Sequence, residues 1–209
     1  MKTLKEIFDK HDCDKSQSHK YYKIYEKYFE EIRNEPINFL EIGIFRGAST
    51  KAWLEYFPNA KIYCTDTFER VPPHEIGALK SSRVQWFKGD STHAGVSKRV
   101  IDNWGMMKFD FIIDDGAHWP EAQRLTFQNF FPFLKEGGTY FIEDVFPMHI
   151  MNKDELNYYW FKKYPDRYDM LKHMDFINTV DVRNGKTTYH DQRTESKYKH
   201  DSFIIATQK

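Results

Sequence analysis

The sequence predicts an α/β fold, a doubly wound and mostly parallel sheet with helices on both faces. Two observations predict it. Between Asn38 and Ile142 short apolar runs alternate with segments of helical periodicity, and such alternation demands parallel strands joined by crossover helices. The runs also end in glycine or acidic residues, which belong at the carboxyl ends of strands, where doubly wound sheets collect their ligands.

Ahead of the sheet, Tyr21, Tyr25, Tyr28 and Ile32 recur at spacings of four, three and four. This is one face of an amphipathic helix over 20–32, and Asn34-Glu35-Pro36 ends it. Strands follow at 38–42, 61–65, 84–88, 109–113 and 139–142, with helices at 48–56, 98–104 and 120–134 between them. Past Asp144 the pattern predicts a polar helix over 153–163, then strands at 176–182 and 202–207. These two read as an antiparallel hairpin added to one edge. No repeat or linker cuts the chain, so residues 1–209 are expected to form one domain, with 1–35 as an N-terminal helical lid.

Composition narrows the partners. Lys plus Arg and Asp plus Glu number 31 each, a net charge of zero with neutral histidines, so no general field draws the chain to nucleic acid or to an anionic membrane. Its apolar runs fall far short of the roughly 20 residues that span a bilayer, and the charged start of the chain has no signal-peptide core. Cys13 and Cys64 stand in no metal-binding spacing, which fits reduced thiols. The expectation is a cytoplasmic protein, and a homo-oligomer is compatible with its 17% aromatic content.

The first strand end reads Leu40-Glu41-Ile42-Gly43-Ile44-Phe45-Arg46-Gly47. Phe45 stands where a dinucleotide fingerprint needs its second glycine, so a pyrophosphate cradle and an NAD-dependent oxidoreductase are disfavoured. Gly43 and Gly47 behind the acidic Glu41 suit a cofactor that lacks phosphates and carries a positive centre. S-adenosylmethionine (SAM) is the common one. Asp66 ends the second strand, where a carboxylate can accept from both ribose hydroxyls. Asp90 ends the third and can accept from an adenine amino group. Each signal alone is weak, because strand-end glycines and aspartates usually serve turns. Their order on three successive strands strengthens them.

The next two strands end alike, in Asp114-Asp115 and in Glu143-Asp144. Two acid pairs on neighbouring strands repel one another unless a cation joins them. All-oxygen ligands favour a hard divalent ion such as Mg²⁺, with Mn²⁺ or Ca²⁺ as alternatives. His118, past Gly116, can turn back over the same rim and suits proton removal from a polarised hydroxyl. The competing reading makes these residues helix caps and partners of Arg124 and nearby lysines.

Together LEIGIFRG, IYCTDTF, FIIDDGAH and GGTYFIEDV resemble the class I SAM-dependent methyltransferases, and within them the metal-dependent sugar O-methyltransferases of macrolide biosynthesis, of the mycinamicin and macrocin type. The segment Asp14-Lys15-Ser16-Gln17-Ser18-His19 with Tyr22 is similar to one that precedes the fold in that group, so the resemblance covers roughly residues 12–145. It implies Asp115, Glu143 and Asp144 as metal ligands and His118 as base. It also implies Asp114 as a group on the cofactor side or behind the ligands, and Lys15, His19 and Tyr22 near the methionine end of SAM.

The function expected is therefore metal-assisted methyl transfer from SAM to a hydroxyl of a sugar, a glycosylated metabolite or another small diol. The alternatives are a phenolic or nitrogen acceptor, or a SAM-binding protein without catalysis. Trp119 and the run Tyr158-Tyr159-Trp160-Phe161 are candidates for an acceptor wall, set against an ordinary role in the core or at a subunit contact.

Overall fold

A computed structural model describes residues 1–105, 107–158, 170–184, 186–197 and 202–209. Among these, seven strands form one sheet: β1 (Asn38–Ile42), β2 (Lys61–Asp66), β3 (Val84–Lys88), β4 (Phe109–Asp114), β5 (Leu134–Ile142), β6 (Thr187–Asp191) and β7 (Phe203–Gln208). Their order is β3-β2-β1-β4-β5-β7-β6. The first five strands are parallel, and β7 runs antiparallel to both β5 and β6. Strand order reverses between β1 and β4, which opens a crevice at their carboxyl ends.

Side chains alternate across the sheet and feed two cores. Phe39, Ile113 and Phe141 face α1 (Leu4–Lys10), α3 (Tyr22–Phe29) and α4 (Ala48–Tyr56). Their neighbours Leu40, Ile112 and Tyr140 face α5 (Ala94–Asn103), α6 (Pro120–Phe130) and α8 (Met170–Asn184). In the first core the Phe29 ring packs edge-on against Trp53 at 5.8 Å and Phe141 at 5.6 Å. Such aromatic pairs add about 0.5–1.5 kcal/mol each beyond area burial. The segment ahead of the sheet is thus part of the core, and it also contains α1 and the short α2 (Asp14–Gln17), neither of which the tyrosine spacing indicated.

The C-terminal third departs from expectation. Residues 176–182 were expected as a strand and lie within α8. Phe176, Ile177 and Val180 are buried against α6 at helical spacing, and a short apolar run cannot by itself distinguish the two periods. The outer strand of the hairpin is the polar β6, paired with β7 from Thr187↔Thr207 to Asp191↔Phe203. Charge and polarity suit an edge strand. Of the polar helix expected over 153–163, α7 spans Lys153–Leu156, and Tyr159, Trp160 and Phe161 lie outside the described residues. No helix among the described residues is long and apolar enough to cross a membrane.

Candidate active site

The turn after β1 is built by close approach. Gly43 has φ +78°, and a Cβ there would lie 2.2 Å from the Asp115 carbonyl oxygen, so any side chain would push β1 and β4 apart. Phe45 follows at φ +46°, a region that bulky residues rarely occupy. Asp66 holds the turn: Oδ2 accepts from the N–H groups of Ile44 (2.8 Å) and Phe45 (3.2 Å), and Oδ1 from that of Phe68 (2.7 Å). Asp90 Oδ1 accepts from the Thr92 amide and hydroxyl.

A cavity of about 520 Å³ opens over these strand ends, with Gly43, Asp66, Asp90, Asp115, His118 and Asp144 among its lining residues. That size is typical of small-molecule and cofactor sites. Phe45, Trp119 and Phe146 add apolar surface, and Tyr158 is largely exposed and outside the lining.

Of the nine residues expected at the cofactor, Gly43, Asp66 and Asp90 line the cavity and the other six do not. Glu41 is fully buried and faces α4, where it accepts from Thr50 Oγ1 (2.6 Å) and Trp53 Nε1 (3.0 Å). Strand alternation decides this, because Glu41 shares the face of Phe39. Gly47 is the N-cap of α4 at φ +72°, a turn residue that packs on Ile76 and does not line the cavity. Asp114 is also buried, with its Oδ1 accepting from the Gly116 amide, while Oδ2 has no hydrogen-bond partner among the described residues. Burial pushes its carboxyl up to about 7.

The acid rim splits in two. Asp144 has φ +51°, a conformation aspartate tolerates, and the turn sends consecutive acids in different directions. Glu143 points inward, 1% exposed, to the Lys15 ammonium and the Tyr25 hydroxyl, and the Gln123 side chain donates to its carbonyl. Asp144 stays at the rim. His118 stands between Asp115 Oδ1 (3.3 Å from Nε2) and Asp144 Oδ2 (3.4 Å from Nδ1). Burial lowers the His118 pKa, but Asp115 and Asp144 outweigh it and raise it to about 9.

Asp115, His118 and Asp144 each offer a donor atom within 4.8 Å of the others, the one such group among the described residues. This set fits a divalent ion, with one nitrogen and two carboxylate donors. It differs from the expected ligands: Glu143 is outside it and His118 inside.

The N-terminal segment reaches the rim from behind. Lys15 Nζ donates to Asp115 Oδ2 at 2.6 Å, and Tyr21 OH to Asp144 Oδ1 at 2.6 Å. His19 lies 3.0 Å from Ser202 Oγ and 3.5 Å from Asp144 Oδ1. Neither Lys15 nor His19 lines the cavity. Tyr22 packs on the first core, with the Lys5 ammonium over its ring. Tyr21 and Tyr25, one helical turn apart, turn their hydroxyls to Asp144 and Glu143, whereas Tyr22, expected near the cofactor, is rotated away from them and outside the cavity's lining. Their spacing was visible in the sequence as an apolar face; its hydroxyls carried the missed signal.

A family model described as a methyltransferase domain matches residues 40–145. Over 134 residues the chain is 35% identical to the 8-demethyl-8-(2-methoxy-alpha-L-rhamnosyl)-tetracenomycin-C 3'-O-methyltransferase of Streptomyces olivaceus, an alignment covering 61% of this chain and 32% of that protein. Over 128 residues it is 31% identical to the mycinamicin VI 2''-O-methyltransferase of Micromonospora griseorubida, covering 58% of this chain and 30% of the other. The chain thus spans about a third of the length of the curated relatives it matches. Among solved structures, the MycE methyltransferase from the mycinamycin biosynthetic pathway, in complex with Mg and SAH, shares the fold with a TM-score of 0.70. Its identity is 21%, over 99% of this chain and 54% of that one.

Proposed function

The chain belongs to the methyltransferase-domain family, and from that premise we propose that it is a SAM-dependent O-methyltransferase acting on a hydroxyl of a sugar or another small diol. The observation that carries the reading is a juxtaposition. Asp115, His118 and Asp144 border the same cavity as Gly43, Asp66 and Asp90, so an acceptor site adjoins a cofactor site. Relatives named for methylating sugar hydroxyls support the acceptor class. The same reading takes residues 1–209 as one unit, since α1 and α3 share the first core with the sheet.

SAM supplies an electrophilic methyl group, and a divalent ion that the Asp115 and Asp144 carboxylates would hold supplies a Lewis acid that makes a hydroxyl easier to ionise, which leaves the His118 nitrogen free for proton transfer. The chain's own residues do the rest. Asp66 orders the β1 turn through two amides and its own loop through a third, and it borders the cavity for hydrogen bonds to a ribose. Asp90 lies beyond it at the end of β3. Trp119 and Phe146 add apolar wall to the same cavity. The His118 imidazole is placed to take the acceptor proton. Asp115 and Asp144 hold it charged, so it becomes a base only when those carboxylates engage another cation.

The test is methyl transfer from labelled SAM to a panel of diols and glycosides, with Mg²⁺ and with EDTA. The expected result is Mg²⁺-dependent labelling that falls by roughly 10²–10⁴ in His118→Ala. Transfer indifferent to EDTA would remove the metal from the reading, and the absence of SAM or SAH binding by calorimetry would remove the activity.

A further inference from the structure

The inner half of the acid rim already holds a cation. Lys15 is 2% exposed, and its ammonium donates to Asp115 Oδ2 at 2.6 Å and to Glu143. Burial disfavours its charge, yet Asp115 and Glu143 more than offset this. The Tyr25 hydroxyl donates to the remaining Glu143 oxygen, so this carboxylate is committed to α2 and α3. Asp115 is shared: Oδ2 faces Lys15 and Oδ1 faces His118. An ion held by Asp115 and Asp144 would draw on a carboxylate that an ammonium, shielded from water, also uses.

The seat of Lys15 is fixed from both sides. The Ser18 carbonyl, just after α2, accepts from the Lys197 amide at 2.8 Å and from Ser196 Oγ at 2.8 Å. His19 meets Ser202 Oγ. These contacts clamp the end of α2 onto the rim and hold the Lys15 backbone beside Asp115 and Glu143.

Resting on the metal site of the proposed function, we propose that Lys15 is a built-in competitor for the divalent ion. Its ammonium lowers metal affinity by occupying Asp115 and by keeping Glu143 out of the coordination set, so metal binding and the seating of α2 oppose each other. Opposition of this kind is reciprocal: whatever Lys15 does to metal affinity, metal must do to the docking of Lys15.

The experiment measures Mn²⁺ binding by calorimetry in the full chain, for the wild type, for Lys15→Met and for the double variant Lys15→Met/Glu143→Gln. The double variant removes both partners of the buried pair and keeps the test open if the single variant does not fold. Both variants are expected to bind Mn²⁺ at least about tenfold more tightly, within the usual range of coupling between sites. Saturating Mn²⁺ should also speed hydrogen exchange at the Ser18 and His19 amides, which bond to the Asp14 carbonyl. Affinity in the folded variants equal to or weaker than that of a wild type that binds Mn²⁺ would overturn the competition and leave the metal site standing. No Mn²⁺ binding in any form would overturn both.

Discussion

Glu41 and Asp66 are both acids at the cofactor end of the sheet, and one strand position decides their different work. Glu41 sits inside β1 and is consumed by Thr50 and Trp53. Burial raises its pKa above the usual range. For a carboxyl raised in the folded state, stability is complete below the unfolded pKa, near 4.5, and is lost as pH rises through the folded value. Glu41→Gln keeps one acceptor oxygen and does not titrate, so its melting temperature should fall further below wild type at pH 5 than at pH 8. Calorimetry at the two pH values checks this, and a variant that loses more stability at pH 8 than at pH 5 refutes it. A second contrast separates neighbouring tyrosines. Tyr25→Phe strands a buried Glu143 oxygen and should cost about 1–3 kcal/mol. Tyr22→Phe removes a hydroxyl from the core's margin and should stay within about 0.5 kcal/mol. Denaturant unfolding of the pair measures both.

Among the elements, α1 shows how the N-terminal segment is held. Thr3 and Glu6 form a capping box at its start, and Leu4, Ile7 and Phe8 bury its inner face. Glu55, at the end of α4, receives Lys10 Nζ at 2.6 Å, His11 Nε2 at 2.8 Å and Lys2 Nζ at 3.4 Å. The hydrogen bond from Lys10 leads in lowering the Glu55 pKa to about 2. A depressed carboxyl contributes stability above its unfolded pKa of about 4.5 and loses it as pH falls toward 2. The α1 amides should therefore gain exposure to hydrogen exchange, corrected for intrinsic rate, between pH 5 and pH 3. Glu55→Gln should flatten that dependence and cost up to about 1 kcal/mol at neutral pH; an unchanged pH profile would show that Glu55 does not hold α1.

At the scale of the whole molecule, the cavity lies where strand order reverses, and ligand binding there should stabilise the fold around it. SAH at about 100 times its dissociation constant should add roughly 2.7 kcal/mol, a rise in melting temperature of roughly 5–10 °C for a chain of this size. Asp66→Ala loosens the β1 turn and should remove most of that rise. A full SAH shift in Asp66→Ala would mean that the cofactor does not depend on the turn.

The sequence by itself determined the parallel core. The runs at 38–42, 61–65, 84–88 and 109–113 became β1 to β4 to within one residue, because short apolar runs bounded by turn residues and alternating with helical segments mark parallel strands; the run at 176–182, outside that alternation, did not. It also determined which acids reach the carboxyl ends, since Asp66, Asp90, Asp115 and Asp144 directly follow or end such runs. Only the tertiary structure decided which way those acids face. Glu41 and Glu143 read like their neighbours in one dimension, yet alternation turns one into a core and the positive φ of Asp144 separates the other from the rim. Phe176, Ile177 and Val180 became a helix because α6 offered a helical groove. Lys15 and Asp115 are a hundred residues apart, and local pattern carries no information about a pairing made by the folding of the whole chain. For that reason the sequence could state that the acid cluster needs a cation, and the fold was needed to show that one of its cations is the chain's own.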